Sequence, residues 1–207
     1  MKWLVGIDEA GRGPLAGPVA VGVVKVAANF NWNLIPGVGD SKKVSAKRRG
    51  VIFNRAQALK KAGELEFAVV MINAAHVDRF GIARAITDAI ARASKTLALD
   101  PKNCFIKLDG SLKAPNEFKQ ETIIKGDQKE LVIGLASILA KETRDAHMNV
   151  LAKKYPGYEL EIHKGYGTKN IDVSFLKTDF QMCTAAAIAK TDICGVRCSK
   201  NSFSHSP

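Results

Sequence analysis

The 207-residue sequence has few cysteines, a small share of acidic residues and no long apolar run. Its four cysteines, Cys104, Cys183, Cys194 and Cys198, are too few and too unevenly spaced for a disulfide framework, which argues against a disulfide-stabilised secreted domain. No stretch of about 18 apolar residues is present, so a membrane-spanning helix is not expected. The apolar stretch before the first acidic pair is also shorter than the core of a signal peptide, and we therefore expect a cytoplasmic protein.

The balance of charge is strongly basic. Lysine and arginine total 31 against 20 aspartates and glutamates, which gives a net charge of +11 and a pI near 9.6. This excess favours a polyanionic partner such as nucleic acid, and the alternative is a basic surface that only aids solubility. A hydrophobic fraction of 46% with 25% charged residues is typical of a chain that folds into one globular domain.

Apolar periodicity predicts an alternation of strands and helices. We expect strands at Trp3 to Ile7, Pro18 to Ala28, Leu65 to Ile72, Asn103 to Leu108 and Thr122 to Ile124. We expect helices from Ser45 to Ala62 with Ser45 as the N-cap, from Ile82 to about Leu97, and from Glu130 to Tyr155. Such an order predicts an α/β fold whose mixed sheet is first antiparallel and then parallel, with helices on both faces.

Acidic residues follow three of the predicted strands. Asp8 and Glu9 come after the first strand, Asp109 after the fourth and Asp127 after the fifth. Each acid taken alone is typical of a turn or a helix cap. Four carboxylates gathered at the carboxyl ends of neighbouring strands would repel one another unless a cation neutralised them, and all-oxygen ligands favour magnesium or manganese.

A glycine-rich turn follows the first acidic pair. Ala10-Gly11-Arg12-Gly13-Pro14 places two glycines around an arginine, so that backbone amides can approach a ligand closely while the guanidinium meets a phosphate. A Gly-Arg-Gly sequence alone is a weak signal. Its position directly after Asp8 and Glu9 makes that acidic pair unusual and favours a phosphate-bearing ligand at this turn.

The segment from Gly6 to Val19 resembles the signature of the ribonuclease HII family, and further motifs of that family follow in order. They are Asp40-Ser41-Lys42-Lys43, Leu108-Asp109-Gly110, Lys125-Gly126-Asp127, Ala136 to Lys141 with Thr143-Arg144-Asp145, and His163 to Lys169. The resemblance covers residues 1 to about 170. It implies a ribonuclease H-like domain with a mixed five-stranded sheet over residues 1–170, and a helical C-terminal part.

The resemblance implies an endonuclease that hydrolyses the RNA strand of RNA–DNA hybrids and incises duplex DNA at embedded ribonucleotides, leaving 5′-phosphate and 3′-hydroxyl ends. Two Mg²⁺ or Mn²⁺ ions would drive the reaction. The catalytic residues and metal ligands would be Asp8, Glu9, Asp109 and Asp127. Such an enzyme would serve DNA replication and ribonucleotide excision repair, and we expect a monomer.

The resemblance also implies substrate-binding residues. Gly11, Arg12 and Gly13 would sense the ribose 2′-hydroxyl, and Tyr166 would pack against the next deoxyribose. Backbone phosphates would be contacted by Ser41, Lys42, Lys43 and Lys164, for which a solvated loop is the alternative. Lys141 and Arg144 lie on a helix with Asp145, where ordinary helix-face ion pairs are an equal alternative to a functional role, and we leave both out of the catalytic set.

Residues 171–207 depart from the family pattern, which continues with a Pro-x-His-Arg-x-Ser-Phe-like segment. We therefore expect a divergent C-terminal tail there, and the alternative function is a catalytically weak or silent binder of RNA–DNA hybrids. The sister family, ribonuclease HIII, carries an additional N-terminal domain. The first strand begins here at Trp3, and this start together with the Tyr166 motif favours type HII.

Overall fold

The computed structural model describes residues 2–39 and 44–167. The strands are β1 (Trp3–Ala10), β2 (Val19–Ala27), β3 (Leu65–Ile72), β4 (Cys104–Asp109) and β5 (Lys119–Ile123). The helices are α1 (Ala46–Lys61), α2 (Ala74–Phe80), α3 (Ile82–Thr96), α4 (Gly126–Lys129), α5 (Leu131–Lys154) and α6 (Leu160–His163). The phosphate-binding residues expected at Ser41, Lys42 and Lys43 lie outside the described residues, as does the tail at 171–207.

The five strands form one mixed sheet in the order β3-β2-β1-β4-β5. β1 pairs antiparallel with β2 and β2 antiparallel with β3, whereas β1–β4 and β4–β5 are parallel. Ile7 lies opposite Leu108 in the parallel β1–β4 pair, so the two strands reach the same edge of the sheet at their carboxyl ends. The predicted mixed sheet is confirmed, and Asp8 and Asp109 are brought to that edge.

Helices cover both faces of the sheet, as predicted. On one face α3 packs over β2 and β3, and its Ile86 and Ile90 share one buried core with Val5 and Ile7 of β1. On the other face α1 and α5 bury apolar side chains against β2 and β3. Burial on both faces is the main source of stability for a sheet whose central strands are apolar throughout.

Helix α5 lies unusually close to the sheet. A Cβ atom on Gly6 would lie 2.3 Å from the carbonyl oxygen of Val132, and one on Gly22 would lie 2.3 Å from that of Ala136. These two glycines allow the helix backbone to rest directly on β1 and β2, which places residues of α5 over the edge where Asp8 lies. Within the described ranges, no helix is long and apolar enough to cross a membrane.

Two strand boundaries differ by three residues from the sequence-based expectation. β1 continues through Asp8 and Glu9 to Ala10, because each of these residues pairs with β2, and the expected end at Ile7 is wrong. β5 begins at Lys119, three residues before the expected start, because an edge strand can carry polar side chains that give no apolar signal. Helix α2, capped by the side chain of Asn73, was not predicted.

The remaining elements agree closely with expectation. Ser45 is the N-cap of α1, and its side chain accepts a hydrogen bond from the amide of Arg48 at 3.3 Å. β3 has the predicted bounds, and α5 differs from its predicted range by one residue at each end. Apolar periodicity located these elements because each buries one continuous face.

Candidate active site

A cleft of about 530 Å³ opens at the carboxyl ends of β1 and β4. It brings together residues from the strand edge, the turn after β1, α1, α5 and the loop after α6. Its lining residues are Asp8, Glu9, Ala10, Gly11, Arg12, Gly13, Arg49, Asp109, Asp127, Ser137, Lys141 and Tyr166. All four carboxylates predicted as metal ligands therefore face one space, together with the Gly-Arg-Gly turn and Tyr166.

Asp8 is the most deeply buried of the carboxylates on β1, with 5% of its surface exposed. One of its oxygens accepts a hydrogen bond of 2.7 Å from the amide of Glu9, and the hydroxyl of Ser137 on α5 donates another. Burial raises the pKa of Asp8 well above its usual range, the charges of Glu9 and Asp109 raise it further, and the hydrogen bond from Ser137 partly offsets the rise. The site is short of positive charge at this position.

One carboxylate oxygen of Glu9 faces the guanidinium of Arg12, and the other has no hydrogen-bond partner. Its Oε1 lies 3.4 Å from Nη1 of Arg12, whereas its buried Oε2 has no hydrogen-bond partner. Burial raises the pKa of Glu9, and the charge of Arg12 opposes that rise. A buried carboxylate oxygen without a donor costs free energy unless a ligand completes its coordination.

Asp109 and Asp127 are joined through one turn. The amide of Gly126 donates a 2.6 Å hydrogen bond to Oδ1 of Asp109, and Asp127 is the next residue, 7% exposed. Lys125, which precedes this pair, has a left-handed backbone with φ of 57°, and this reverses the chain after β5. The reversal brings Asp127 back toward the end of β4, where it lines the cleft.

The residues present fit a divalent cation by their chemistry. Four carboxylates form an all-oxygen donor set, and burial raises the pKa of both Asp8 and Glu9, a cost of ionisation that a bound cation would offset. Among residues 2–39 and 44–167, no three acid, histidine or cysteine side chains are grouped closely enough to hold a metal by themselves. Magnesium sites commonly combine one or two carboxylates with water and substrate phosphate, which this open cleft can accommodate.

The turn after β1 is held against the body of the protein. Gly11 has φ of 97°, and a Cβ atom there would lie 2.4 Å from Nε of Arg144. Gly13 has open space around it, and the side chain of Arg12 is 48% exposed. The turn therefore presents backbone and a guanidinium to the cleft while its first glycine packs on a buried side chain.

Tyr166 also lines the cleft, with 40% of its surface exposed. Nζ of Lys141 lies 5.4 Å from the centre of the Tyr166 ring and pairs with Asp145 at 2.8 Å. For Lys141 the helix-face ion pair, left open as an alternative, is therefore present, and Lys141 lines the cleft as well. Arg144 takes neither role left open for it, because this side chain is fully buried and donates to backbone carbonyls.

Lys164 is not among the residues that line the cleft. Its ammonium donates to the side chain of Asn149 and to the carbonyl of Glu161, the latter at 2.7 Å. Burial lowers the pKa of Lys164, and the charge of Asp145 opposes that change. In this arrangement Lys164 stabilises the loop before Tyr166 and does not point toward the carboxylates.

Four lining residues were not predicted as site residues, namely Ala10, Lys141, Ser137 and Arg49. Ser137 is a buried hydroxyl in an apolar stretch of α5, and that contrast was the signal available in the sequence. Arg49, on α1, donates to Glu142 at 2.8 Å and to the carbonyl of Val44 at 2.9 Å. Nothing in the local sequence around Arg49 distinguishes it from its basic neighbours, because its position depends on how α1 packs against α5.

Comparison with known proteins agrees with this geometry. The family model "Ribonuclease HII" matches residues 5–194. The chain is 44% identical to a ribonuclease HII of Endomicrobium trichonymphae over 80% of its length and 75% of the relative's. It is 40% identical to a ribonuclease HII of Caldicellulosiruptor bescii over 81% of its length and 77% of the relative's.

Solved structures share the fold. The ribonuclease H2 of Pyrococcus horikoshii superposes with a TM-score of 0.68 at 24% identity, covering 84% of this chain and 85% of that one. A ribonuclease HIII, Bst-RNase HIII in complex with Mn²⁺, superposes with a TM-score of 0.57 at 16% identity, covering 86% and 70%. The sequence match over most of the chain, on a ribonuclease H fold, shows that this protein is a ribonuclease H enzyme belonging to the ribonuclease HII family.

Proposed function

We propose that this ribonuclease hydrolyses the RNA strand of RNA–DNA hybrids and incises duplex DNA at embedded ribonucleotides, leaving 5′-phosphate and 3′-hydroxyl ends. The observation that carries the proposal is the cleft itself, which four carboxylates line together with the Gly-Arg-Gly turn and Tyr166. A group of carboxylates inside a protein of net charge +11 suits a polyanionic substrate that is bound through divalent ions and basic side chains. We further propose that Asp8, Glu9, Asp109 and Asp127 are the catalytic carboxylates.

Two divalent cations, Mg²⁺ or Mn²⁺, are proposed as cofactors, held by Asp8, Glu9, Asp109 and Asp127. When bound, such ions supply an activated water and stabilise the charge on the leaving 3′-oxygen. The manganese-bound ribonuclease HIII of the same fold supports this choice of ion class. The hydrogen bonds from Ser137 to Asp8 and from Gly126 to Asp109 orient two of the carboxylates toward the cleft.

Recognition of the substrate is proposed to divide between the Gly-Arg-Gly turn and Tyr166, both of which line the cleft. Backbone groups of Gly11, Arg12 and Gly13 read the ribose 2′-hydroxyl, since this hydroxyl alone distinguishes ribose from deoxyribose. The exposed ring of Tyr166 packs against the following deoxyribose. The half-exposed guanidinium of Arg12 meets a backbone phosphate near Glu9.

Further contacts to the phosphate backbone are proposed for Ser41, Lys42 and Lys43, on the motif that they form in the sequence. Arg49, in the first turn of α1, also lines the cleft. The structure places the ammonium of Lys164 away from the cleft, so we now propose a positioning role for Lys164 in place of a phosphate contact.

The experiment is an incision assay on a DNA duplex that carries one ribonucleotide, with a matched all-DNA duplex as control. With Mg²⁺ or Mn²⁺ the wild-type protein is expected to cut only the first duplex and to leave a 3′-hydroxyl. Asp109→Asn should abolish incision, because the amide keeps the shape of the carboxylate and removes its charge. The absence of metal-dependent incision, or unchanged incision by Asp109→Asn, would overturn the proposal.

The second candidate is a binder of RNA–DNA hybrids that is catalytically weak or silent, and binding without turnover in the same assay would favour it. Four acids in a cleft that faces a polyanion count against it, because a binder gains nothing from that repulsion. A cytoplasmic location, a monomeric state, a role in DNA replication and ribonucleotide excision repair, and a boundary near residue 170 stay predictions. The family model's match reaches residue 194, past that boundary.

A further inference from the structure

Two loops form the walls of the cleft, and both are held by one buried side chain. The first, residues 11–18, carries Gly-Arg-Gly, and we name it the glycine loop. The second, residues 163–167, carries Tyr166, and we name it the tyrosine loop. Arg144 of α5, which is 0% exposed, reaches between them.

The guanidinium of Arg144 donates to three backbone carbonyls. Nε donates to Pro18 at 2.8 Å and Nη2 to Ala16 at 3.2 Å, both in the glycine loop. Nη1 donates to Lys164 in the tyrosine loop at 3.0 Å. A planar guanidinium holds its donors at fixed angles, so these bonds set the position of each loop relative to the other.

The two loops also bond directly to each other. The carbonyl of Gly165 accepts hydrogen bonds from the amides of Leu15 at 2.8 Å and Ala16 at 3.3 Å. A Cβ atom on Gly165 would lie 2.2 Å from the carbonyl oxygen of Ala16. Glycine is therefore required at this contact, as it is at Gly11 against Arg144.

The ring of His163, the first residue of the tyrosine loop, also holds this loop in place. Its ring is buried, with Nε2 at 2.6 Å from the carbonyl of Tyr158 and Nδ1 accepting from the amide of Gly165 at 3.0 Å. A carbonyl can only accept and an amide can only donate, so this pair of contacts defines the tautomer with hydrogen on Nε2. The carbonyl of His163 in turn accepts from the amide of Tyr166 at 2.9 Å.

We infer that Arg144, supported by His163, is a positioning residue that fixes the spacing between the glycine loop and Tyr166 and thereby sets the preference for a ribonucleotide followed by a deoxyribonucleotide. The inference rests on the proposed function. Reading such a step requires two contacts to adjacent sugars at once, and rigid loops avoid the entropic cost of ordering them on binding. Arg144 itself does not touch substrate, because it has no exposed surface.

The substitution Arg144→Lys tests the spacing with little change in charge. A lysine ammonium is a point donor and cannot hold three carbonyls in the plane of a guanidinium. We compare kcat/KM on a DNA duplex with one ribonucleotide with kcat/KM on a continuous RNA–DNA hybrid. A continuous RNA strand presents a ribose to Tyr166 in every register, so its cleavage depends less on the spacing of the loops.

We expect the ratio of the two kcat/KM values to fall about tenfold or more in Arg144→Lys, the size of effect given by a lost charge-assisted hydrogen bond. An equal fall on both substrates would overturn the inference, because a purely structural role lowers both alike. As a control, Ile90→Ala removes core packing on the opposite face of the sheet and should leave the ratio unchanged.

A second pair of variants covers the case in which Arg144→Lys does not fold. His163→Leu removes both ring contacts, whereas His163→Asn keeps an acceptor near the position of Nδ1. We expect the ratio to fall in the leucine variant and to recover partly in the asparagine variant. Equal ratios in the two variants and the wild type would overturn the inference.

The same ratio can be measured by binding, which separates this inference from the proposed function. If the wild type incises neither substrate, the proposed function fails. The ratio is then taken from Kd values for the two duplexes in a chelator, for wild type and Arg144→Lys. A ratio that does not change in Arg144→Lys would overturn the inference by this measurement as well.

Discussion

The amide of Gly126 donates a 2.6 Å hydrogen bond to Oδ1 of Asp109, across 17 positions of the sequence. This bond ties the end of β4 to the turn that carries Asp127. An asparagine at position 109 keeps an oxygen in the same place, so the turn should survive the loss of charge. Asp109 is therefore the site where chemistry and folding can be separated most cleanly.

Asp109→Asn is expected to lower kcat by roughly 10³-fold or more, since removal of one member of a cooperating catalytic set usually has this effect. The melting temperature should stay within a few degrees of the wild-type value because the bond from Gly126 is retained. Single-turnover incision and thermal unfolding measure the two quantities. A large loss of stability would show that the charge of Asp109 is needed for folding.

Asp8→Asn is expected to stabilise the protein in the absence of divalent ions. Burial raises the folded-state pKa of Asp8, so the cost of ionising it is absent below its unfolded pKa of about 3.9 and grows as pH rises through the raised value. The asparagine variant carries no such cost. Its melting temperature should exceed that of the wild type at pH 8, by about 2–4 °C for each kcal/mol relieved, and the difference should shrink toward pH 5. A difference that does not change with pH would contradict the assigned cause.

Divalent ions should raise the melting temperature of the wild type. Binding to the folded state alone stabilises a protein by mass action, by about 2.7 kcal/mol at a concentration 100 times Kd. A Mn²⁺ titration followed by thermal unfolding measures the effect, with chelator as the reference. Asp8→Asn should show a smaller shift, and an equal shift in both proteins would place the ion elsewhere.

Gly6→Ala is expected to destabilise the fold by roughly 1–3 kcal/mol or more, because its Cβ would lie 2.3 Å from the carbonyl oxygen of Val132. Helix α5 would have to move away from β1. Gly50→Ala, in α1 with no atom within 4 Å of the new Cβ, is the matched control. It should stabilise the protein by about 0.5–1 kcal/mol. Chemical denaturation compares the two, and equal effects would contradict the close approach of α5.

Arg12→Met and Lys164→Met should differ in their effect on the salt dependence of binding. Loss of a phosphate contact lowers the slope of log K against log salt by about 1. We expect this change for Arg12, whose guanidinium faces the cleft, and little change for Lys164, whose ammonium bonds to Asn149 and Glu161. Fluorescence anisotropy with a labelled duplex at several salt concentrations measures both slopes. A reduced slope for Lys164→Met would restore the phosphate contact first expected from its motif.

The sequence by itself determined the order of the main elements, the α/β class and the family. Apolar periodicity marks buried faces, and the motifs around Asp8 and Asp109 are specific enough to identify relatives. It also picked out the four carboxylates, since acids at strand ends are visible without a structure. The short helices α4 and α6 gave no such signal, and of the polar edge strand β5 only the carboxyl-terminal end was predicted, because these elements depend on neighbours distant in the chain.

Only the tertiary structure decided which polar side chains serve the cleft and which serve the fold. Lys164 and Arg144 lie in motifs of the same kind as Arg12, yet Lys164 bonds to residues of α5 and α6 and Arg144 holds two loops from inside the protein. Ser137 and Arg49 reach the cleft only because α5 rests on Gly6 and α1 packs beside α5. Side-chain roles of this sort depend on distances between elements far apart in sequence, which local patterns do not encode.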